Sequence, residues 1–154
     1  MPTCYMLIGL PGTGKSTWVG HFHEEEQNQV IISSDYFVER FASLCGMTYN
    51  EAFPIAMARG IPDKFISKRI RKAITENRDV LWDQTNLTVK SRKAKMSQLP
   101  GYNFEALVFE KPAQEIWEKN LDRPGKVIPK NILNQMEHSY QAPTQDEGFI
   151  KIYY

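Results

Sequence analysis

Gly9-Leu10-Pro11-Gly12-Thr13-Gly14-Lys15-Ser16 decides how this chain is read, because an apolar run, Tyr5-Met6-Leu7-Ile8, leads into it and Trp18, Val19 and Phe22 follow at helical spacing. Strand, glycine-rich turn and helix in that order form the first half of a parallel crossover unit. The alternation repeats outward from there. Val30-Ile31-Ile32 is a second buried strand ending in Ser33-Ser34-Asp35, and a helix starts at Asp35 with Phe37, Val38 and Phe41 inward. Between Cys45 and Gly60, the residues Met47, Ala52, Phe53, Ala56 and Met57 suggest another helix, with Pro54 near its first turn. Pro62 opens a longer helix that sets Ile66, Ile70, Ala73 and Ile74 on one face and Lys64, Lys68, Arg71 and Lys72 on the other. Asp79 to Trp82 is a strand ending at Asp83, and a basic helix runs from Lys90 to Gln98 before Pro100-Gly101. Phe104 to Phe109 is a strand, and Ala113 to Leu121 is a helix with Ile116, Trp117 and Leu121 inward. After a break at Arg123-Pro124-Gly125-Lys126, a last helix runs from Pro129 to Tyr140, with Ile132, Leu133 and Met136 as its stripe, and Ile150 to Tyr153 is a closing strand. The pattern implies an α/β fold: a parallel sheet with helices on both faces and a small lid, in a single domain over residues 1–154.

Composition narrows the class. With 42% hydrophobic and 24% charged residues among 154, the chain is neither disordered, collagen-like nor a coiled coil. The apolar run Cys4 to Leu10 falls well short of the ~20 residues that span a bilayer. No leader pattern surrounds it, so the expectation is a cytoplasmic protein with no membrane partner. Cys4 and Cys45 are too few for a disulfide framework or a four-ligand zinc site and are expected in the core. His21 and His23, followed by Glu24-Glu25-Glu26, would face apart on a helix, which favours a solvated charged face over a metal cluster. Net charge is only +1, but ten basic against three acidic side chains lie between Lys64 and Lys95, a local excess of +7. That imbalance points to a polyanionic partner. No oligomeric state follows from the sequence.

Chemistry enters with the loop. Gly9 to Ser16 satisfies G-x-x-x-x-G-K-[ST] between a strand and a helix, the context in which it holds phosphate. Gly12, Thr13, Gly14 and Thr17 would let backbone amides wrap an anion, Lys15 would reach the β and γ phosphates, and Ser16 would ligate Mg²⁺. ATP or another nucleoside triphosphate is therefore the implied donor. Thr17 occupies the third glycine position of G-x-G-x-x-G, which disfavours a dinucleotide site. Asp35, at the tip of the second strand, is placed to take a proton from an attacking hydroxyl, or else to cap its helix. Asp83 ends Val80-Leu81-Trp82-Asp83 and either holds a Mg²⁺ water or is a turn residue. Arg123, with Lys126 nearby, either closes a cation over the transferring phosphoryl group or lies in a solvated turn.

These residues resemble the 5′-hydroxyl polynucleotide kinase domain of tailed phages, within the P-loop kinases. Gly9 through Trp18 is similar to that family's loop, Ile32-Ser33-Ser34-Asp35 to its strand ending in a general-base aspartate, and Thr85-Asn86-Leu87 to its T-N-L element. Arg123, Lys126 and Pro129 fit its R-x-x-K-x-x-P lid segment, and the tail Pro143 to Phe149 resembles endings of other small P-loop kinases. The resemblance implies a kinase fold with a tunnel, nucleotide entering one mouth and a DNA or RNA 5′ end the other. It also implies a host-cytoplasmic location if the protein is phage-encoded. Three features depart from the family. Its acceptor-binding arginine is Val38 here, with Arg40 as the expected substitute; Gln84 precedes Thr85, with Asp83 displaced by one; and no aspartate-rich phosphatase motif follows.

The combined expectation is Mg²⁺-dependent transfer of a γ-phosphoryl group to the 5′-hydroxyl of DNA or RNA. Lys15, Asp35 and Arg123 carry the chemistry, and Lys126 joins the loop and Arg123 around the donor. Asp35, Arg40, Thr85, Asn86, Arg92 and Lys93 seat the acceptor, and Ser16 and Asp83 serve the metal. Two rivals remain: a small-molecule kinase for a nucleoside, sugar or antibiotic, and a nucleotide-binding module without transfer activity.

Overall fold

The computed structural model describes residues 1–22 and 28–154. His23 and Glu24 to Glu26, expected on a solvated face, lie outside the described residues. Five strands, β1 (Thr3–Ile8), β2 (Gln29–Ser33), β3 (Asp79–Asp83), β4 (Asn103–Val108) and β5 (Phe149–Tyr153), form one sheet in the order β2-β3-β1-β4-β5. Every pairing is parallel. Between them lie α1 (Lys15–Val19), α2 (Ser34–Cys45), α3 (Tyr49–Ala58), α4 (Ile61–Glu76), α5 (Val89–Met96), α6 (Ala113–Leu121) and α7 (Lys130–Ser139), with a 3₁₀ turn at Gln145–Glu147.

The strands hold because alternate residues meet two buried faces. Cys4, Val30, Ile32, Val80 and Trp82 pack with Ile70 and Ala73 of α4 and with Leu99 and Tyr102 beyond α5. Met6, Ile8, Ala106 and Phe149 continue that face toward β5. Leu7 and Leu81 point the opposite way and have no exposed surface, so the second face is covered as well. Truncating a side chain such as Leu81 to Ala costs about 2–5 kcal/mol through lost transfer energy and the cavity left behind.

A second, smaller core joins α2, α3 and α4 through Val38, Ala42, Ala52 and Ala56. Val38, standing where the resembled family has arginine, is therefore a packing residue at 1% exposure. α3 starts from a capping box in which Thr48 and Glu51 exchange hydrogen bonds, and Pro54 sits inside the helix rather than near its first turn. Four inward expectations fail, one of them Ile132 of the α7 stripe, which is 37% exposed. Ile74 is 44% exposed and Leu121 55% exposed, while Cys45 is an exposed thiol at the end of α2. Successive i, i+4 steps drift by about 40° on a 3.6-residue helix, which carries Ile74 off the Ile66–Ile70 stripe.

Candidate active site

Parallel pairing brings the C-terminal ends of three strands to one sheet edge: Leu7 of β1 is level with Asp83 of β3, which is level with Ser33 of β2. Open α/β sheets bind ligands at that edge. The glycine-rich loop therefore emerges beside both candidate carboxylates, Asp35 and Asp83. Gly9 donates its amide to the Thr85 carbonyl at 3.0 Å, tying the loop to the Thr85-Asn86 segment.

Gly12 and Gly14 take φ values of 83° and 100°, a left-handed backbone that side chains resist. Among the described residues, the amides of Gly12, Thr13 and Gly14 have no internal acceptor. A run of unpartnered amides in such a loop is an anion nest. The Thr13 side chain braces the loop instead, its hydroxyl donating to the Leu10 carbonyl at 2.7 Å. Lys15 is buried, and its Nζ donates to the carbonyls of Gly9 and Leu10 at 2.6 and 2.8 Å. Burial lowers its pKa to about 8, against the upward pull of Asp83 and Asp35, while Arg123 pushes it further down. One ammonium thus feels two carboxylates and a guanidinium, which brings Lys15, Asp35, Asp83 and Arg123 into a single electrostatic site. Ser16 and Thr17 are exposed on the first turn of α1.

Asp35 is exposed, and Ser33, not Asp35, occupies the N-cap position of α2. Its Oδ1 accepts the Tyr49 hydroxyl at 2.5 Å. Burial raises the Tyr49 pKa, and the charge and hydrogen bond of Asp35 raise it further, so the phenol keeps its proton and stays a hydrogen-bond donor. Burial also raises the pKa of Asp83, Lys15 pulls it back, and Asp35 adds to the rise. The hydroxyl of Ser16 and the carboxylate of Asp83 are the hard oxygen donors that suit Mg²⁺. No group of three or more His, Cys, Asp or Glu able to hold a metal occurs among the described residues. A metal bound through one carboxylate together with substrate phosphates fits that donor set.

Arg123 follows α6 in a loop held from three sides. The side chain of Asn120 donates to the Ile128 carbonyl at 2.8 Å and accepts the Ile128 amide at 2.9 Å. The Asn50 amide donates to the Gly125 carbonyl at 2.8 Å, and the Asn50 side chain to the Val127 carbonyl at 3.1 Å. Gly125, at φ 68°, lies so close to α3 that a β-carbon there would come within 2.9 Å of the Thr48 β-carbon. In this braced loop, Nη1 of Arg123 is buried with no hydrogen-bond partner among the described residues. A buried, unpaired guanidinium nitrogen is a donor without an acceptor, suited to an anionic oxygen.

Other expected residues have different occupations. Arg92 has no exposed surface: Nε and Nη2 each donate to the Glu147 carboxylate at 2.8 Å, and Nη1 donates to the Asn86 carbonyl at 2.9 Å. It is a buried structural cation, and the expectation that it grips an acceptor is corrected. Asn86, 1% exposed, is also structural: its Nδ2 donates to the Leu7 carbonyl at 2.6 Å, and its Oδ1 accepts from Lys95. Lys126 pairs with Glu39, lies 4.5 Å from the centroid of Tyr49, and its charge also acts on Asp83. Arg40 is exposed, with Nη1 3.5 Å from the Tyr36 hydroxyl, and is not among the charges acting on Lys15. Lys93 remains on the surface. Sequence reasoning missed Tyr49, Asn50 and Asn120; the T-x-x-E spacing at Thr48 and Glu51 was the available signal for the helix that carries the first two.

A five-stranded parallel sheet with a phosphate-type loop after β1 and an arginine-bearing lid defines a P-loop kinase-like fold. The chain belongs to the AAA domain family, whose model matches residues 5–143. Among solved structures, it is similar to a candidate kinase from Chloroflexus aurantiacus J-10-fl at 15% identity, covering 99% of this chain and 86% of that one, with a TM-score of 0.73. It is similar to a chain of the Pnkp1/Rnl/Hen1 RNA repair complex at 23% identity, covering 90% of this chain and 43% of that one, with a TM-score of 0.68. A gluconokinase from Sinorhizobium meliloti 1021 matches at 19% identity over 97% of this chain and 81% of its own, with a TM-score of 0.53. At these identities the likeness is one of fold. No helix among the described residues is long and apolar enough to cross a membrane.

Proposed function

We propose that this chain transfers the γ-phosphoryl group of ATP, or another nucleoside triphosphate, to the 5′-hydroxyl end of DNA or RNA. The observation that carries the transfer chemistry is the grouping of one exposed carboxylate, Asp35, with Lys15 and Asp83 at the strand edge, within electrostatic reach of Arg123 in the loop after α6. The amides of Gly12, Thr13 and Gly14 would receive phosphate oxygens, and Lys15 would exchange its bonds to Gly9 and Leu10 for the β and γ phosphates. Bound Mg²⁺, held by Ser16 and through Asp83, would neutralise charge between those phosphates. Asp35, aimed by the Tyr49 hydroxyl, takes the proton of the acceptor hydroxyl as its oxygen bonds to the γ phosphorus and the bond to the β,γ-bridging oxygen breaks. Nucleoside diphosphate leaves, and the open Nη1 of Arg123 meets the charge that spreads over the equatorial oxygens. Thr85, beside Gly9, borders the acceptor side.

Support for a polynucleotide acceptor comes from the T-N-L and lid resemblance and from the positive surface that remains once Arg92 is removed from it. The likeness in fold to a chain of an RNA repair complex agrees with this reading, while the gluconokinase likeness keeps a sugar acceptor as the rival. Single-turnover transfer from γ-labelled ATP to a 5′-hydroxyl oligonucleotide tests the proposal. Asp35→Asn should slow it by about 100-fold or more with ATP binding retained, because the amide cannot take the proton. Undiminished transfer by that variant, or label passing only to gluconate or free nucleosides, contradicts it.

A further inference from the structure

Ten basic residues between Lys64 and Lys95 suggested a polyanion surface, and the structure divides them sharply. Arg92 and Lys95 are turned inward on Glu147 and Asn86, Arg78 donates to the Gln29 carbonyl, and Arg69 donates to the Ile31 carbonyl. The α5 segment is thereby left with Lys90 and Lys93 as its exposed cations. On α4, by contrast, Lys64, Lys68 and Arg71 are all exposed at i, i+4 and i+7, and so lie on one helix face. None of the three has a carboxylate partner among the described residues. They line a shallow groove with Phe65 and Ser67, in which Asp63 is the single acidic side chain.

A ring path connects this groove to Asp35. Tyr36, the next residue, is 55% exposed and packs edge-on to Phe37 at 5.3 Å. Phe37 stacks on Phe65 at 4.3 Å with the rings 3° from parallel, and the Lys68 ammonium stands 5.9 Å from the Phe65 centroid. Phe37 is itself buried, so Tyr36 and Phe65 are the exposed rings of this path. Exposed rings beside a row of cations without carboxylate partners suit single-stranded nucleic acid, whose bases stack on rings while its phosphates track cations.

We propose that the α4 face, Lys64, Lys68 and Arg71 approached over Tyr36 and Phe65, is the track for the strand that trails behind the 5′-terminal nucleotide. The inference rests on the polynucleotide reading above and adds the direction in which the acceptor leaves the site. It replaces α5, whose Arg92 and Lys93 were expected to seat the acceptor, with α4. An acidic protein is the competing occupant, but the adjoining rings favour a ligand with stacking faces. The track begins beyond Asp35, so a 5′-hydroxyl dinucleotide should gain nothing from it and a twelve-nucleotide strand should gain from all three cations.

Fluorescence anisotropy of a 3′-labelled, 5′-hydroxyl twelve-nucleotide single strand, titrated with the full chain without ATP, reads the track independently of catalysis. Each phosphate contact on a single strand contributes a salt slope of about −0.7, so three contacts weaken binding roughly 20-fold between about 50 and about 200 mM salt. The combined Lys64→Ala, Lys68→Ala and Arg71→Ala variant should lose about two units of slope. It should also lose the preference for the longer strand, with dinucleotide and ATP Michaelis constants unchanged. Lys68→Ala alone should lose about a third of the slope change, which guards against misfolding of the triple variant. An unchanged slope and affinity in the triple variant, with the wild type still phosphorylating oligonucleotides, overturns the track and leaves the proposed function standing. Transfer only to small molecules overturns the proposed function and, with it, the assignment of the α4 face to a trailing acceptor strand. Absence of wild-type oligonucleotide binding, or equal competition by polyglutamate, overturns the track.

Discussion

Replacing Arg92 with Met should unfold the protein at markedly lower denaturant without touching its affinity for an acceptor. The guanidinium makes three hydrogen bonds, two to Glu147 at 2.8 Å and one to the Asn86 carbonyl at 2.9 Å, with side-chain exposures of 0% for Arg92 and 3% for Glu147. Arg92→Met leaves a buried carboxylate without its counter-charge, a loss of about 3–5 kcal/mol. At about 2–4 °C per kcal/mol for a domain of this size, the thermal midpoint should fall by roughly 6–20 °C. The pH dependence carries a sign. In the parent, burial pushes the Glu147 pKa up, but the Arg92 hydrogen bonds, the Thr144 amide and the Arg92 charge outweigh it and hold the pKa below its usual value. A carboxyl held low contributes stability that is present above its unfolded pKa, about 4.3, and is lost as pH falls through the folded value. In Arg92→Met, only the Thr144 amide and the Lys93 charge still oppose burial and Glu147 takes up a proton more readily, so the deficit should be largest near neutral pH and shrink as the pH falls. Urea unfolding of parent and variant at pH 7.5 and pH 5 measures this, with Arg92→Met combined with Glu147→Gln recovering part of the loss. An unchanged midpoint with a raised oligonucleotide Michaelis constant would refute the reasoning and return Arg92 to an acceptor-binding surface.

Other consequences are equally specific. Tyr49→Phe removes the hydroxyl that orients Asp35, so kcat should fall about tenfold with the Michaelis constant for ATP unchanged; equal loss in both would mean a general packing defect. Since the Lys15 pKa lies near 8 in the free protein and its protonated form binds phosphate, kcat/KM for ATP should decline as pH rises through that value. A flat profile to pH 9 contradicts this. Gly125→Ala forces a side chain into a left-handed backbone against Thr48, costing ~1–2 kcal/mol and lowering the thermal midpoint by roughly 2–8 °C. Calorimetry showing no shift would mean that the lid is not braced on α3 in solution.

Local signals carried much of this structure. The loop from Gly9 to Ser16 needs only its own glycines and flanking apolar runs to be recognised, and the positions of Asp35 and Arg123 could be read because one follows a strand and the other a helix. Residues whose roles depend on distant partners were not legible. Arg92 lies in a run of lysines that reads as a wet helix face, and its carboxylate partner is 55 positions away. Tyr49 meets Asp35 across 14 positions, in the segment where Pro54 blurred the helical pattern. Asn120 looks like a surface residue of α6 until the loop to Ile128 folds back and takes both ends of its amide. Charge counting found the basic region, but only the fold separates the cations consumed inside from those on α4.

The chemical position of the transferred label tests the central claim most directly. The protein is incubated with γ-labelled ATP, Mg²⁺ and an equimolar mixture of a 5′-hydroxyl oligonucleotide, the same strand already bearing a 5′-phosphate, gluconate and free nucleosides, and the labelled strand is digested to mononucleotides. The account predicts label solely in the 5′-terminal mononucleotide of the hydroxyl strand, and its disappearance with Lys15→Ala. Label on gluconate or a nucleoside with none on the strand, or release only as inorganic phosphate, would contradict it.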